Sequence, residues 1–142
     1  MAAVELFSAY INAKMHTDST GSPVKISMRP DSDFSAHNGY ITGKTLLVER
    51  GKRIVQSWRC SDWKKTDPDS YLVLTFEDTK GGANLHMVHL GVPKDKYTSI
   101  KAGWKEHYWD KWKEYFKNRG YASLKNAKIN PKLKLKPVSM SA

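Results

Sequence analysis

Cysteine is nearly absent. Cys60 is the only one in 142 residues, so no disulfide can form within the chain. That excludes the small secreted domains that lean on disulfides, and a reducing cytoplasm is the expected setting. Long apolar runs are missing too. Nothing approaches the roughly 20 residues a membrane span needs, and none is expected. The opening MAAVELFSAYINAK carries Glu5 and has no basic start ahead of an apolar block, so no secretory leader is expected. Acid is missing from one region altogether. Residues 117–142 hold seven Lys/Arg and no Asp or Glu, whereas residues 1–116 hold 17 Lys/Arg against 14 acids. The net charge of +10 is therefore mostly a property of the tail. Such a tail can touch nucleic acid or another anionic surface non-specifically. A solvated end is the plainer expectation.

What is present is ordinary for one globular domain, with 39% hydrophobic and 27% charged residues. Residues 4–16 predict a helix, with Val4, Phe7, Tyr10, Ile11 and Met15 near one face. TDSTGSP (17–23) breaks it. VKISM (24–28) alternates like a half-buried strand. Asn38-Gly39 is a strong hairpin dipeptide leading into a strand over 40–49. After the turn at 50–52, residues 53–60 are rich in β-formers. Two further strands are expected at 71–77 and 84–91, separated by turns. After Val92-Pro93 the period changes. Asp95 is placed to cap a helix running to about Asn118, with Gly120 suited to its C-terminal side. The order is helix, about five antiparallel strands, long helix. It predicts an α+β fold, a curved meander with the last helix across it.

The densest aromatic stretch is GWKEHYWDKWKEYF (103–116). Wound as a helix, it gathers Trp104, Tyr108, Trp109, Trp112, Tyr115 and Phe116 on one side. Glu106, Asp110, Lys113, Glu114 and Lys117 take the other. Burial against a sheet is the expected fate of such a face, ahead of a nucleic-acid stacking platform or a membrane-surface helix.

Candidate chemistry is thin. GYITGKT (39–45) has three residues between its glycines instead of four and lies in strand context, so it is not a phosphate loop. His86 and His89 are three apart on a strand and point to opposite faces, so they cannot share a metal. His89 joins the face of Leu85 and Met87. Cys60 reads as a half-buried thiol, and the loop acids Asp62, Asp67 and Asp69 read as solvated. No enzyme, catalytic residue, metal or cofactor is expected.

GYITG (39–43), IVQSWRCSDW (54–63), DSYLVLTFED (69–78), LHMVHLGVP (85–93) and GWKEHYW (103–109) occur in this order and spacing. Together they resemble the domain named for the activator of heat-shock protein 90 ATPase. That domain belongs to the START-like, or SRPBCC, superfamily with the helix-grip fold of birch pollen allergen. The resemblance covers about residues 4–118, within an expected domain at 1–120 and a basic tail at 121–142. It implies a bent antiparallel sheet gripping the C-terminal helix, with a cavity between them. Trp104, Tyr108 and Trp112 are then the expected cavity wall, joined by Trp58 and His89 from the sheet, with Tyr115 closing one end.

The implied roles are a non-enzymatic partner of heat-shock protein 90 or a binder of an apolar small molecule. No segment here corresponds to the separate N-terminal domain that makes much of the chaperone contact in the full co-chaperone, so full ATPase activation is not carried over. The family also has a strand before its first helix, and this chain begins inside that helix. Three remedies are expected to compete: a truncated start, a dimer through the exposed sheet edge, or replacement by KLKLKPV (132–138), whose Leu/Lys alternation suits an edge strand.

Overall fold

The computed structural model describes residues 3–80, 82–118 and 128–135. Two short helices lead the chain, α1 (Ala3–Ile11) and α2 (Ala13–Thr20). The single helix expected over 4–16 is broken at Asn12. Its side chain accepts the Met15 N–H at 3.0 Å and so caps α2. Asparagine offers the backbone a rival partner and favours a new start over continuation. The expected breaker TDST is instead the end of α2, because Ser19 and Thr20 donate back to the His16 carbonyl. Gly21, at φ 80°, then ends the helix in the left-handed region. At the other end, Asp78 accepts the Ala3 N–H at 2.6 Å and anchors α1 to the sheet. The α1 face also differs from expectation: Leu6, which the expected face lacked, is buried with Phe7, Tyr10 and Ile11, whereas Val4 is exposed.

Five strands follow as an antiparallel meander: β1 (Ser32–Ala36), β2 (Ile41–Glu49), β3 (Arg53–Cys60), β4 (Ser70–Thr79) and β5 (Gly82–Val92). VKISM is not a strand. Only Lys25 pairs, in a lone bridge to Ser35, with Val24 buried and Met28 exposed. Pro23 on one side and the turn at Arg29–Asp31 on the other leave no room for a ladder. The Asn38-Gly39 hairpin is present, with positive φ at His37, Asn38 and Gly39.

The sheet has one apolar face. Ile54, Gln56, Trp58 and Cys60 on β3 are buried, as are Leu72, Leu74 and Phe76 on β4 and Leu85, Met87 and His89 on β5. Burying each aliphatic of this set stabilises by roughly 1.5–3 kcal/mol. An irregularity between Thr45 and Leu47 bends β2. Gly43 is required there, since a Cβ would sit 1.9 Å from the Ser57 carbonyl oxygen.

A sixth strand, β6 (Lys128–Leu135), pairs in parallel with β5, from Asn84↔Lys128 to His89↔Leu133. The β5 edge of the sheet is thus occupied by a segment of the chain's own tail. Residues 136–138 of the expected replacement strand, like Gly120, lie outside the described residues.

The last helical stretch packs on the apolar face in three pieces. α3 (Tyr97–Trp104) follows a short 3₁₀ turn at Lys94–Lys96. Asp95 caps nothing, since the first turn closes through the backbone from Lys96 N–H to the Pro93 carbonyl. A π turn at Lys105–Trp109 then leads into α4 (Asp110–Asn118). In the π turn the Asp110 N–H reaches the Lys105 carbonyl, five residues back. In a regular helix Trp104 and Trp109 stand about 140° apart. Here their rings stack at 5.3 Å with 14° between planes. The wider turn brings both indoles to one side of the helix.

Candidate functional site

An apolar cleft of about 300 Å³ opens between the β1–β2 hairpin, the end of β3 and the α3–π junction. Trp58 and Ile41 wall it from the sheet. Ile100, Trp104 and Tyr108 wall it from the helix, and His37, Tyr40 and His107 stand at its rim. Trp58, Trp104 and Trp109 form a row of indoles, 6.0 Å and 5.3 Å between successive centroids. A larger hollow of about 570 Å³ near the start of α1 is lined by charged groups such as Glu49, Arg50 and Arg53. The first cleft has the convergent aromatic walls of a small-molecule site.

Two buried polar chains hold the cleft walls in place. In the first, the Trp104 indole N–H donates to His89 Nδ1 at 3.1 Å. His89 Nε2–H then donates to Ser70 Oγ at 2.8 Å, and Ser70 donates to the Trp58 carbonyl at 2.6 Å. Each donor has one acceptor, which assigns the imidazole tautomer. Burial pushes the His89 pKa down to about 3, so the ring is neutral at physiological pH.

In the second chain, the Tyr108 hydroxyl donates to His16 Nε2 at 2.9 Å, and His16 Nδ1–H donates to the Tyr10 carbonyl at 2.7 Å. The Tyr10 hydroxyl donates to Gln56, which donates to Thr45. Burial lowers His16 to about 4, against a raising effect of its backbone hydrogen bond. Burial also raises the Tyr108 hydroxyl well above its ordinary value.

Of the six residues expected at the cavity, Trp58, Trp104 and Tyr108 line the cleft. His89 lies behind it and orients Trp104. Trp112 is fully buried, edge-on to Tyr108 and Trp109, and fills space below the cleft. Tyr115 is half-buried beside Phe116 and faces a separate shallow pocket with Asp18 and Thr20. His37, Tyr40, Ile41, Ile100 and His107 were not foreseen. The Asn38-Gly39 turn was the one signal that placed His37 and Tyr40 at a hairpin tip.

Cys60 is buried, deeper than expected, and its thiol is pushed up to about 12 by burial. It is a poor nucleophile there. His86 and His89 do face opposite ways, His86 meeting Glu77 at 3.3 Å. Among the described residues no three His, Cys, Asp or Glu gather as a metal site, and no helix is long and apolar enough to cross a membrane. The loop acids are engaged: Asp62 accepts from Tyr40 and Lys96, and Asp69 from Arg59.

This architecture is shared with solved structures. One is an HSP90 activator from Plasmodium falciparum, at TM-score 0.66 and 24% identity, covering 78% of this chain and 84% of that one. Another is CalU16 from Micromonospora echinospora, at TM-score 0.66 and 18% identity, covering 88% and 75%. Both have the helix-grip arrangement described above. Curated relatives include an activator of 90 kDa heat shock protein ATPase homolog from Dictyostelium discoideum. It is 28% identical over 114 residues, 80% of this chain and 30% of that protein. An uncharacterized protein of Schizosaccharomyces pombe is 28% identical over 106 residues, 75% of this chain and 31% of its own length. The chain thus spans under a third of these curated relatives. The family profile described as "Activator of Hsp90 ATPase homolog 1-like protein" matches residues 2–117. The chain belongs to the activator of Hsp90 ATPase homolog 1-like family.

Proposed function

We propose that this domain is a non-enzymatic Hsp90-contacting module, acting in the cytoplasm as an auxiliary partner of the chaperone. The observation that carries the reading is the family match across almost the whole helix-grip domain. Fold alone does not assign function, so the reading rests on family membership. The test is direct titration of purified chain into Hsp90, followed by the chaperone's ATPase rate. Binding with modest or no stimulation is expected, because the matched segment is a small part of the full-length relatives. Absence of both binding and stimulation overturns the reading.

The cleft favours a second reading, that the domain holds an apolar small molecule between sheet and helix. Its volume of about 300 Å³ lies at the lower end of known small-molecule sites, roughly 300–1,000 Å³. Trp58 and Trp104 give it two large flat walls, and the His89 chain holds one of them rigidly. Native mass spectrometry of protein purified from cells checks this. A retained small-molecule mass that disappears in Trp104→Ala supports it. A mass spectrum of bare protein, together with no retention of any added apolar compound, sinks it.

A further inference from the structure

We infer that the cleft takes a small apolar acid, its ring against Trp58 and Trp104 and its carboxylate on the His37–His107 pair at the rim. This rests on the second reading above and names the ligand class. The two imidazoles come from separate elements, His37 from the β1–β2 hairpin and His107 from the π turn, and their centroids are 5.1 Å apart. No hydrogen bond joins either ring to a carboxylate among the described residues. Among the described residues, the cleft lining holds no Asp, Glu, Lys or Arg. Its polar groups are imidazole, hydroxyl and thiol, so a bound cation would meet no balancing charge. An anion would meet two imidazoles, which bind carboxylates as charged donors.

Two local departures from regular backbone converge on this pair. His37 sits at φ 50°, uncommon for any residue but glycine, though histidine is among those that tolerate it. His107 lies within the π turn, a device often found at functional sites. Gly103 lines the cleft beside His107, where the space a Cβ would take is open apart from ordinary contact with that ring. Both rings therefore look onto the cleft mouth, with the indoles behind them.

The surrounding charges leave the pair available. From α2, His16 is neutral and engaged with Tyr108. From the π turn, Tyr108 is held protonated by burial and packs edge-on to His37 at 5.5 Å. From the hairpin, Tyr40 is tied to Asp62, whose other oxygen is held by Lys96. From β3, Cys60 is a protonated thiol. Burial, and then His107, hold His37 below its ordinary value. His37 is thus neutral near pH 7, and a bound carboxylate favours its protonation.

The probes are 1-naphthaleneacetic acid and its neutral isostere 1-naphthaleneacetamide, titrated by quenching of tryptophan fluorescence. At about pH 6 the acid is expected to bind about tenfold more tightly than the amide, the effect of one hydrogen bond to a charged group. The preference should shrink by about pH 8, where imidazoles are neutral. His37→Gln with His107→Gln should erase the preference, bringing the acid down to the affinity of the amide. Equal binding of acid and amide overturns this inference and leaves the small-molecule reading standing. Acid preference surviving in the double variant places the anion elsewhere and overturns it too. Binding of neither probe overturns it, and the mass-spectrometric test then decides the broader reading alone.

Discussion

The two halves of the aromatic helix carry the same kinds of side chain and meet different fates. Around Trp104 and Tyr108, the helix faces the end of β3 and the hairpin, and a cleft is left between them. Around Trp112 and Phe116 the packing is closed over both side chains, which are fully buried. The difference lies in what stands opposite. The second half is closed in part by α2, which packs on α4. The first half has a hairpin tip opposite it, and a tip cannot fill the space a helix would. An apolar helix face therefore reports burial, and the opposing element decides whether that burial leaves a site.

The largest expected effect is at the packed end. Trp112→Ala should cost about 3–5 kcal/mol, because the void has no route to solvent and its neighbours are rigid aromatic rings. Trp104→Ala should cost clearly less, since the cleft already admits water and that water can donate to His89 Nδ1. Chemical denaturation of both variants checks the order. Probe binding should rank the other way, lost in Trp104→Ala and retained by whatever fraction of Trp112→Ala is folded. Equal stability losses would erase the distinction between the halves.

Acid provides the next comparison. His16 and His89 are both neutral in the fold, with pKa values of about 4 and about 3. In the unfolded chain each titrates near 6.5, so protonation there begins first and favours unfolding. The stabilisation is complete above about pH 6.5 and is lost as pH falls toward the folded values. By about pH 5 each histidine should have removed about 2 kcal/mol. Denaturant midpoints between about pH 7 and pH 5 measure the sum, and His89→Gln separates the two shares. A flat profile would mean that neither ring is as enclosed as the structure places it.

Much of the fold was legible in the chain. The boundaries of β3 coincide with residues 53–60, because a β-rich run there is bracketed by Gly51 and by a loop. The aromatic side of the last helix was legible from its period. The π turn was not, since no residue in the pattern marks it, and the Trp104–Trp109 stack that accompanies it is seen only in the fold. Asn12 looked like one polar residue in a helix and proved to be a cap. The lone bridge at Lys25 shows the limit of alternation, which reports a face but not a partner. At the site, aromatic walls were legible and the rim was not. His37 and His107 lie 70 residues apart in sequence, and neither belongs to an apolar pattern. The polar chains behind the cleft were equally hidden, because hydrogen-bond partners such as Ser70 and His89 meet only once register is set.

The smallest expected effects separate those two chains. Ser70→Ala strands a donor, His89 Nε2–H, and removes the donor to the Trp58 carbonyl. Its cost should fall near the upper part of the roughly 1–3 kcal/mol for an unpaired buried group. Tyr108→Phe keeps the ring and strands only an acceptor, His16 Nε2. Acceptors left alone are tolerated better than donors, and this one lies next to a cleft that admits water. Its cost should be about 1 kcal/mol, with cleft binding of the neutral probe unchanged. If Tyr108→Phe proves as damaging as Ser70→Ala, then water does not reach that hydroxyl. The inner end of the cleft would be as tightly closed as the packed half of the helix, and the two regions would differ at the rim alone.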